Sequence, residues 1–174
     1  IGGDKDGNPN VTHQTLRWSL MRYRQAILSK YLESLEQLAE RLTHSDQLCR
    51  MHPSFVRSLA RDRHSFPALI DSLDARFPHQ PYRQKLLIMS HRLRQMVRHP
   101  TPEDGYAGVE ELERDLGLMH RSLIFHRADP IARNELEKLL LQVTLFGFRF
   151  AKLDVRDHSR RHLDAFAELA LSNG

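Results

Sequence analysis

Cysteine is almost absent from this chain, and that scarcity excludes the most. One thiol, Cys49, leaves no internal disulfide framework and no cysteine-built zinc site. Long apolar runs are missing too. None approaches the roughly 18 residues that a membrane-spanning helix needs. The glycines form neither a Walker loop nor a dinucleotide fingerprint, since neither spacing occurs. Charge of one sign is not in large excess: 26 Lys+Arg face 22 Asp+Glu, for a net +4 with 11 histidines. Nucleic-acid binders gather their basic residues on one face or tail, whereas here the acids are interspersed with arginine. The composition therefore predicts neither a nucleic-acid nor a membrane partner. Disorder is excluded as well, because leucine-rich segments recur along the whole length.

What is present is mostly helix. Residues 1–10 hold three glycines, two aspartates, two asparagines and a proline, which predicts a structured loop. Leu16, Leu20, Tyr23, Ile27, Tyr31, Leu35, Leu38 and Leu42 then recur every three or four residues. That spacing predicts one long helix from about Thr12 to about Thr43, with Asn10 or Thr12 as its cap. Phe55, Val56, Leu59 and Ala60 mark a short helix, and Leu69, Ile70 and Leu73 another. Pro78 and Pro81 demand a loop over Phe77–Pro81. Leu86, Met89, Leu93 and Met96 give a helix from Tyr82 to about Val97, and Val109, Leu112, Leu116, Met119 and Leu123 the next. Asp129-Pro130 starts a further helix that Gly147 stops. The methionines on these stripes, and Trp18, are expected in the core.

From Phe148 to Arg156 the period changes to two. Ala151, Leu153 and Val155 share one face, while the other runs from Phe148 and Phe150 to Lys152, Asp154 and Arg156. This predicts a strand that turns ionic toward its C-terminal end. A solitary strand leaves its backbone unpaired. The expectation is a stretch from inside a longer polypeptide, an idea that the start at Ile1, with no signal or transit pattern, also suggests. Barrel enzymes carry their catalytic residues at the C-terminal ends of such strands. The fold class expected is thus mainly α: a helical segment of a TIM-barrel-type α/β enzyme, with one barrel strand near 148–156. In the opening loop Asp4, Asp6 and Asn8 alternate like calcium ligands, but His13 and Gln14 stand where an EF-hand needs glutamate.

Three motifs in register carry a resemblance. Ile1–Thr12, IGGDKDGNPNVT, resembles the Gly-Gly-Asp-Arg-Asp-Gly-Asn-Pro motif of phosphoenolpyruvate carboxylases. Phe146–His162, FGFRFAKLDVRDHSRRH, is similar to that family's Lys/Arg-Leu-Asp-Ile-Arg-Gln-Glu-Ser segment, and Pro81-Tyr82-Arg83 to its Pro-Tyr-Arg helix start. The resemblance covers the whole chain. It implies an active-site loop at 1–12, a helical insertion at 13–146, and a barrel strand with its following helix at 147–174. It also implies a parent enzyme that adds bicarbonate to phosphoenolpyruvate, giving oxaloacetate and phosphate, with Mg or Mn bound by residues outside this stretch. Such enzymes are cytoplasmic, allosteric homotetramers. The catalytic histidine motif would precede Ile1 and the glycine-rich mobile loop would follow Gly174, so the stretch alone is expected to be inactive.

Residue by residue, Arg156 matches the family's active-site arginine. A guanidinium stays charged and offers paired donors to the anionic carboxyphosphate and enolate. Lys152 and Asp154 share its face of the strand. Lys5, Asp6 and Asn8 of the loop complete the implied substrate-binding set. A buried Lys-Asp-Arg network that only holds the barrel together is the alternative from the residues themselves. Two departures stand out. Lys5 replaces arginine, keeping charge but losing bidentate geometry, and Asp157-His158-Ser159 replaces Gln-Glu-Ser. His158 and His162 sit four apart but lack a visible third metal ligand. Cys49 has no positioned base in sequence and is expected to be an ordinary thiol. A non-enzymatic helical interaction module, or a degenerate carboxylase-like paralogue, is the rival class. The module accounts for the amphipathic helices but not for the Gly-Gly-Asp-Lys-Asp-Gly loop.

Overall fold

Proline begins most of the helices in this molecule. In the computed structural model, which describes residues 11–99, 102–127 and 130–151, the order is α1 (His13–Arg41), α2 (Pro53–Ser65), α3 (Pro67–Arg76), α4 (Pro81–Arg98), α5 (Val109–Phe125) and α6 (Pro130–Phe146). Four of these start on proline, whose missing N–H costs nothing in the first turn and whose fixed φ suits a helix. Pro81 is thus the first residue of α4 rather than part of the preceding loop, as its position in sequence had suggested. Thr12 caps α1: its hydroxyl accepts from the Thr15 N–H at 3.3 Å, and Thr15 Oγ1 accepts from the Thr12 N–H at 3.4 Å. His52 caps α2, its Nδ1 accepting from the Ser54 N–H at 3.2 Å.

The chain divides into two compact units, Ile27–Phe148 and, separately, Ile1–Ala26 with Arg149–Gly174. In the first unit α4 is the central helix, with ten of its 18 residues buried. One side of it, through Leu86, Met89, Leu93 and Met96, packs with Leu35 and Leu38 of α1 and Leu42 just beyond it, Leu112, Leu116 and Met119 of α5, and Leu136, Leu139 and Val143 of α6. Its Ile88 meets Leu59, Ile70 and Leu73 from α2 and α3. Each fully buried leucine contributes about 2 kcal/mol. The stripes therefore hold the unit, and the side-chain caps of α1 and α2 add about 1 kcal/mol each. Met89, Met96 and Met119 are buried as expected.

Three expectations are corrected. The α1 stripe is buried only from Ile27 onward; Trp18 is 57% exposed and Leu20 45%, so Trp18 is not a core residue. Arg22 lies over its ring at 5.2 Å instead. On α2 the buried face is Phe55, Ser58, Leu59 and Asp62, while Val56 is exposed, because Ser58 and Asp62 face a buried cation on α4. The described start of the predicted strand is not extended. Gly147 adopts φ +55, its N–H bonding the Val143 carbonyl at 2.8 Å, and Phe150 adopts φ 63. Left-handed residues at both positions turn the chain, and residues 147–151 form no strand. Phe148 packs on the core of the larger unit. The rest of the predicted strand, 152–156, lies outside the described residues.

Candidate functional site

Among the described residues, charge converges on Lys85. Helical spacing delivers the groups: Ser58 and Asp62 lie one turn apart on α2, Lys85 and Arg92 two turns apart on α4, and Glu111 and Asp115 one turn apart on α5. Lys85 is fully buried, and its Nζ donates to Ser58 Oγ at 3.0 Å, Asp62 Oδ2 at 2.7 Å and Asp115 Oδ1 at 2.7 Å. Arg92 donates to Glu111 Oε1 at 2.7 Å and to the Gly105 carbonyl at 2.9 Å. Its guanidinium stacks 3.8 Å above the Tyr106 ring, and Tyr106 donates its O–H to Asp115 Oδ2 at 3.1 Å. Gly105 is needed for this approach, since a Cβ there would meet Pro102 Cγ at 2.4 Å.

Burial raises the Asp62 carboxyl above its ordinary range, and Lys85 pulls it back. Burial, with the Asp115 charge beside it, holds the Tyr106 phenol well above 10. Hydrogen bonds from Arg92 and the Ala107 N–H outweigh desolvation at Glu111 and lower it. A cleft of about 570 Å³ opens beside this cluster, lined by Arg61, Arg92, Arg114, Asp62 and Asp115 among others. The chemistry is structural. An ammonium has three donors, and all three of Lys85's already have acceptors, so none is left for a bound ligand. The cluster locks α2, α4 and α5 together.

A second polar centre sits one turn away, at the N-terminal end of α4. Tyr82 donates to Ser122 Oγ at 2.5 Å, and His126 Nε2 lies 3.0 Å from the same phenol oxygen. The His52 N–H also donates to Ser122 Oγ, at 3.0 Å. The His44 ring sits 5.6 Å from that of His126. Burial, then His44, lowers His126 below its usual 6.5, and burial pushes Tyr82 up to about 12.

The substrate set expected from sequence lies outside the described residues: Lys5, Asp6, Asn8, Lys152, Asp154 and Arg156, along with His158 and His162. The described residues next to it in sequence are those of α1, after residue 12, and the end of α6, before 152–156. Tyr31 of α1 is fully buried, and its hydroxyl lies 3.0 Å from both the Gln142 and the Gly147 carbonyls. Burial pushes that phenol up to about 12, so it remains a donor. Sequence reasoning placed Tyr31 on the apolar stripe and missed its hydroxyl bond. It missed Lys85, Asp62 and Asp115 altogether. Lys85 is one of five Lys/Arg residues on α4, so nothing local in the sequence singled it out.

No group of three or more His, Cys, Asp or Glu able to hold a metal ion occurs among the described residues. None of the described helices is long and apolar enough to cross a membrane.

Comparison with known proteins supplies the remaining finding. A family model described as phosphoenolpyruvate carboxylase matches residues 1–174. The chain is 33% identical over 186 residues to a phosphoenolpyruvate carboxylase of Roseiflexus castenholzii, covering 100% of this chain and 20% of that protein. It is 34% identical over 185 residues to one of Synechocystis, covering 98% and 18%, and 33% identical over 183 residues to one of Nitrosomonas eutropha, covering 99% and 19%. It spans about a fifth of the length of the curated relatives it matches.

Proposed function

The chain belongs to the phosphoenolpyruvate carboxylase family, and from that premise we propose that it is an internal segment of an enzyme that carboxylates phosphoenolpyruvate with bicarbonate to oxaloacetate and phosphate. In this reading 1–12 is an active-site loop, 13–146 a helical insertion, and 147–174 a barrel strand with its following helix. Tyr31 carries the reading. An insertion between neighbouring barrel elements must leave and return at one place, and one hydroxyl bonds the start of the helical unit to its end at Gly147.

Arg156 is the catalytic residue of the segment: its guanidinium holds the phosphorylated carboxylate and the charge that develops on it. Lys152 adds positive charge, and Asp154 orients both cations. Lys5, Asp6 and Asn8 contribute from the loop, with Lys5 acting as a point charge rather than a fork. The parent is a cytoplasmic, allosteric homotetramer using Mg or Mn. The described carboxylates do not fit that ion, because Asp62 and Asp115 are neutralised by Lys85, and Glu111 by Arg92. Its ligands belong elsewhere in the parent, and the segment alone is inactive.

Arg156→Ala in the full-length enzyme tests this. Oxaloacetate formation, coupled to malate dehydrogenase, is expected to fall about 10²- to 10³-fold while the assembly stays intact. Loss of folding instead favours a structural role for the Lys-Asp-Arg face. Retained activity refutes the assignment.

A further inference from the structure

We infer that the outer seam of α5 and α6, around Gly117, Leu141 and Leu145, is a docking surface for an apolar-faced helix of the parent polypeptide from outside residues 1–174. The inference rests on the reading of the chain as a segment of a longer enzyme. α6 carries more apolar surface than the helical unit covers. Its last two turns read Leu139-Leu140-Leu141-Gln142-Val143-Thr144-Leu145-Phe146. Leu139 and Val143 are buried in the core, while Leu141 is 59% exposed and Leu145 67%. A helix that is apolar all round belongs in an interior or in a membrane. None of the described helices is long and apolar enough to cross a membrane. The outward residues of α2 show the ordinary solvent face: Arg57, Arg61 and His64 are all exposed.

Gly117 completes the surface. α5 and α6 run antiparallel, with His120 Nε2 2.6 Å from Glu137 Oε1 and Val109 beside Gly147. From the His120–Glu137 contact, Gly117 lies one turn back along α5 and Leu141 one turn on along α6. Helical spacing therefore sets the two side by side, with Leu145 a turn further. Nothing in the unit asks for glycine there. A Cβ at Gly117 would meet no neighbouring group within 4 Å, and glycine inside a helix is destabilising relative to alanine. A bare backbone walled by two leucines is a groove that takes the side-chain ridge of another helix at close range. Length argues for the occupant. The chain spans only about a fifth of its curated relatives, so about four-fifths of such a polypeptide lies outside it. A helix on the same polypeptide is held at high effective concentration, an advantage that a separate molecule lacks.

Photo-crosslinking in the full-length enzyme identifies the occupant. p-Benzoylphenylalanine is placed at Leu141 and, separately, at Leu145, in enzyme assembled from a mixture of light- and heavy-nitrogen chains. After irradiation the joined peptides are read by mass spectrometry. The expected product joins the site to a peptide from outside residues 1–174 of the same chain. A peptide from within 1–174 overturns the inference. So does a product of mixed isotope label, which makes the occupant a second copy, and so does the lack of a crosslink at both positions. Gly117→Ala in the same enzyme gives an independent sign. On a bare face the alanine raises the thermal midpoint. Under a docked helix its methyl group collides, and the midpoint is expected to fall by about 2–4 °C. A rise, or no change, overturns the inference. Arg156→Ala separates this failure from that of the carboxylase reading. Activity retained there sinks the reading but leaves the crosslinked peptide as it was, whereas a failed crosslink with activity lost in Arg156→Ala sinks only the docking surface.

Discussion

Two polar centres lie on the same helix, α4, three residues apart, and they are built on opposite principles. At Lys85 the centre is ionic: one buried ammonium meets two carboxylates and a hydroxyl. At Tyr82 it is neutral: a phenol, a serine and a histidine. Both reach across to α5, and with Arg92–Glu111 they form three rungs, Tyr82–Ser122, Lys85–Asp115 and Arg92–Glu111, running in opposite directions along the two helices. The rungs fix one antiparallel register, where leucine and methionine stripes alone would tolerate a shift of one turn. The difference lies in what each centre tolerates. A neutral donor that loses its partner costs the desolvation of one group. A buried charge that loses its partner costs far more, because its fellow charges stay behind.

Lys85→Ala is the sharpest way to break that contrast. It leaves Asp62 and Asp115 facing each other in the unit's interior, with Arg92 3.8 Å from Asp115 as the remaining cation. The expected loss is about 3–5 kcal/mol, read from the urea midpoint of the chain followed by circular dichroism. Single domains have only about 5–15 kcal/mol in total. A cost below about 1 kcal/mol would mean that the carboxylates simply take up protons, and the ionic centre would then be no more demanding than the neutral one.

This contrast also marks what the sequence could and could not reveal. The helices were legible because Leu86, Met89, Leu93 and Met96, and their counterparts on α5 and α6, repeat every three or four residues. Gly147 and Pro130 were legible as punctuation for the same local reason. Lys85 was not, because its carboxylates come from 23 residues before it and 30 after it, and no local period encodes a three-helix meeting. Trp18 failed for a related reason: burial depends on what covers a face, and the stripe records only that a face exists. The alternation from Phe148 to Arg156 is a real period of two, yet the left-handed turns at Gly147 and Phe150 override it at its start. The candidate substrate residues were legible through motif resemblance rather than through periodicity.

Tyr82→Phe probes the neutral side. Ser122 Oγ keeps the His52 N–H, so the main loss is the bond from Tyr82 and its contact with His126. The expected cost is about 1–2 kcal/mol by the same urea measurement. A cost as large as that of Lys85→Ala would erase the distinction between the two centres.

The smallest expected effect is also the most discriminating, because the two centres titrate in opposite directions. His126 sits below its ordinary 6.5 in the folded chain, through burial and then through His44. The unfolded chain therefore binds the proton more readily. His126's contribution is complete above 6.5 and is lost as pH falls from there through its folded value. Asp62 sits above its ordinary 3.8, so the folded chain takes up that proton first. Its contribution is complete below 3.8 and is lost as pH rises through its folded value. Acidification from pH 7.5 toward 5.5 thus weakens the neutral centre, while any change at Asp62 in that range acts the other way. His126→Gln removes the first term and leaves the second. The thermal midpoint of the unaltered chain is expected to fall between pH 7.5 and 5.5, and that fall should shrink in His126→Gln. An identical fall in both proteins would place the acid sensitivity outside the Tyr82 centre, and the two centres would then differ in strength but not in sign.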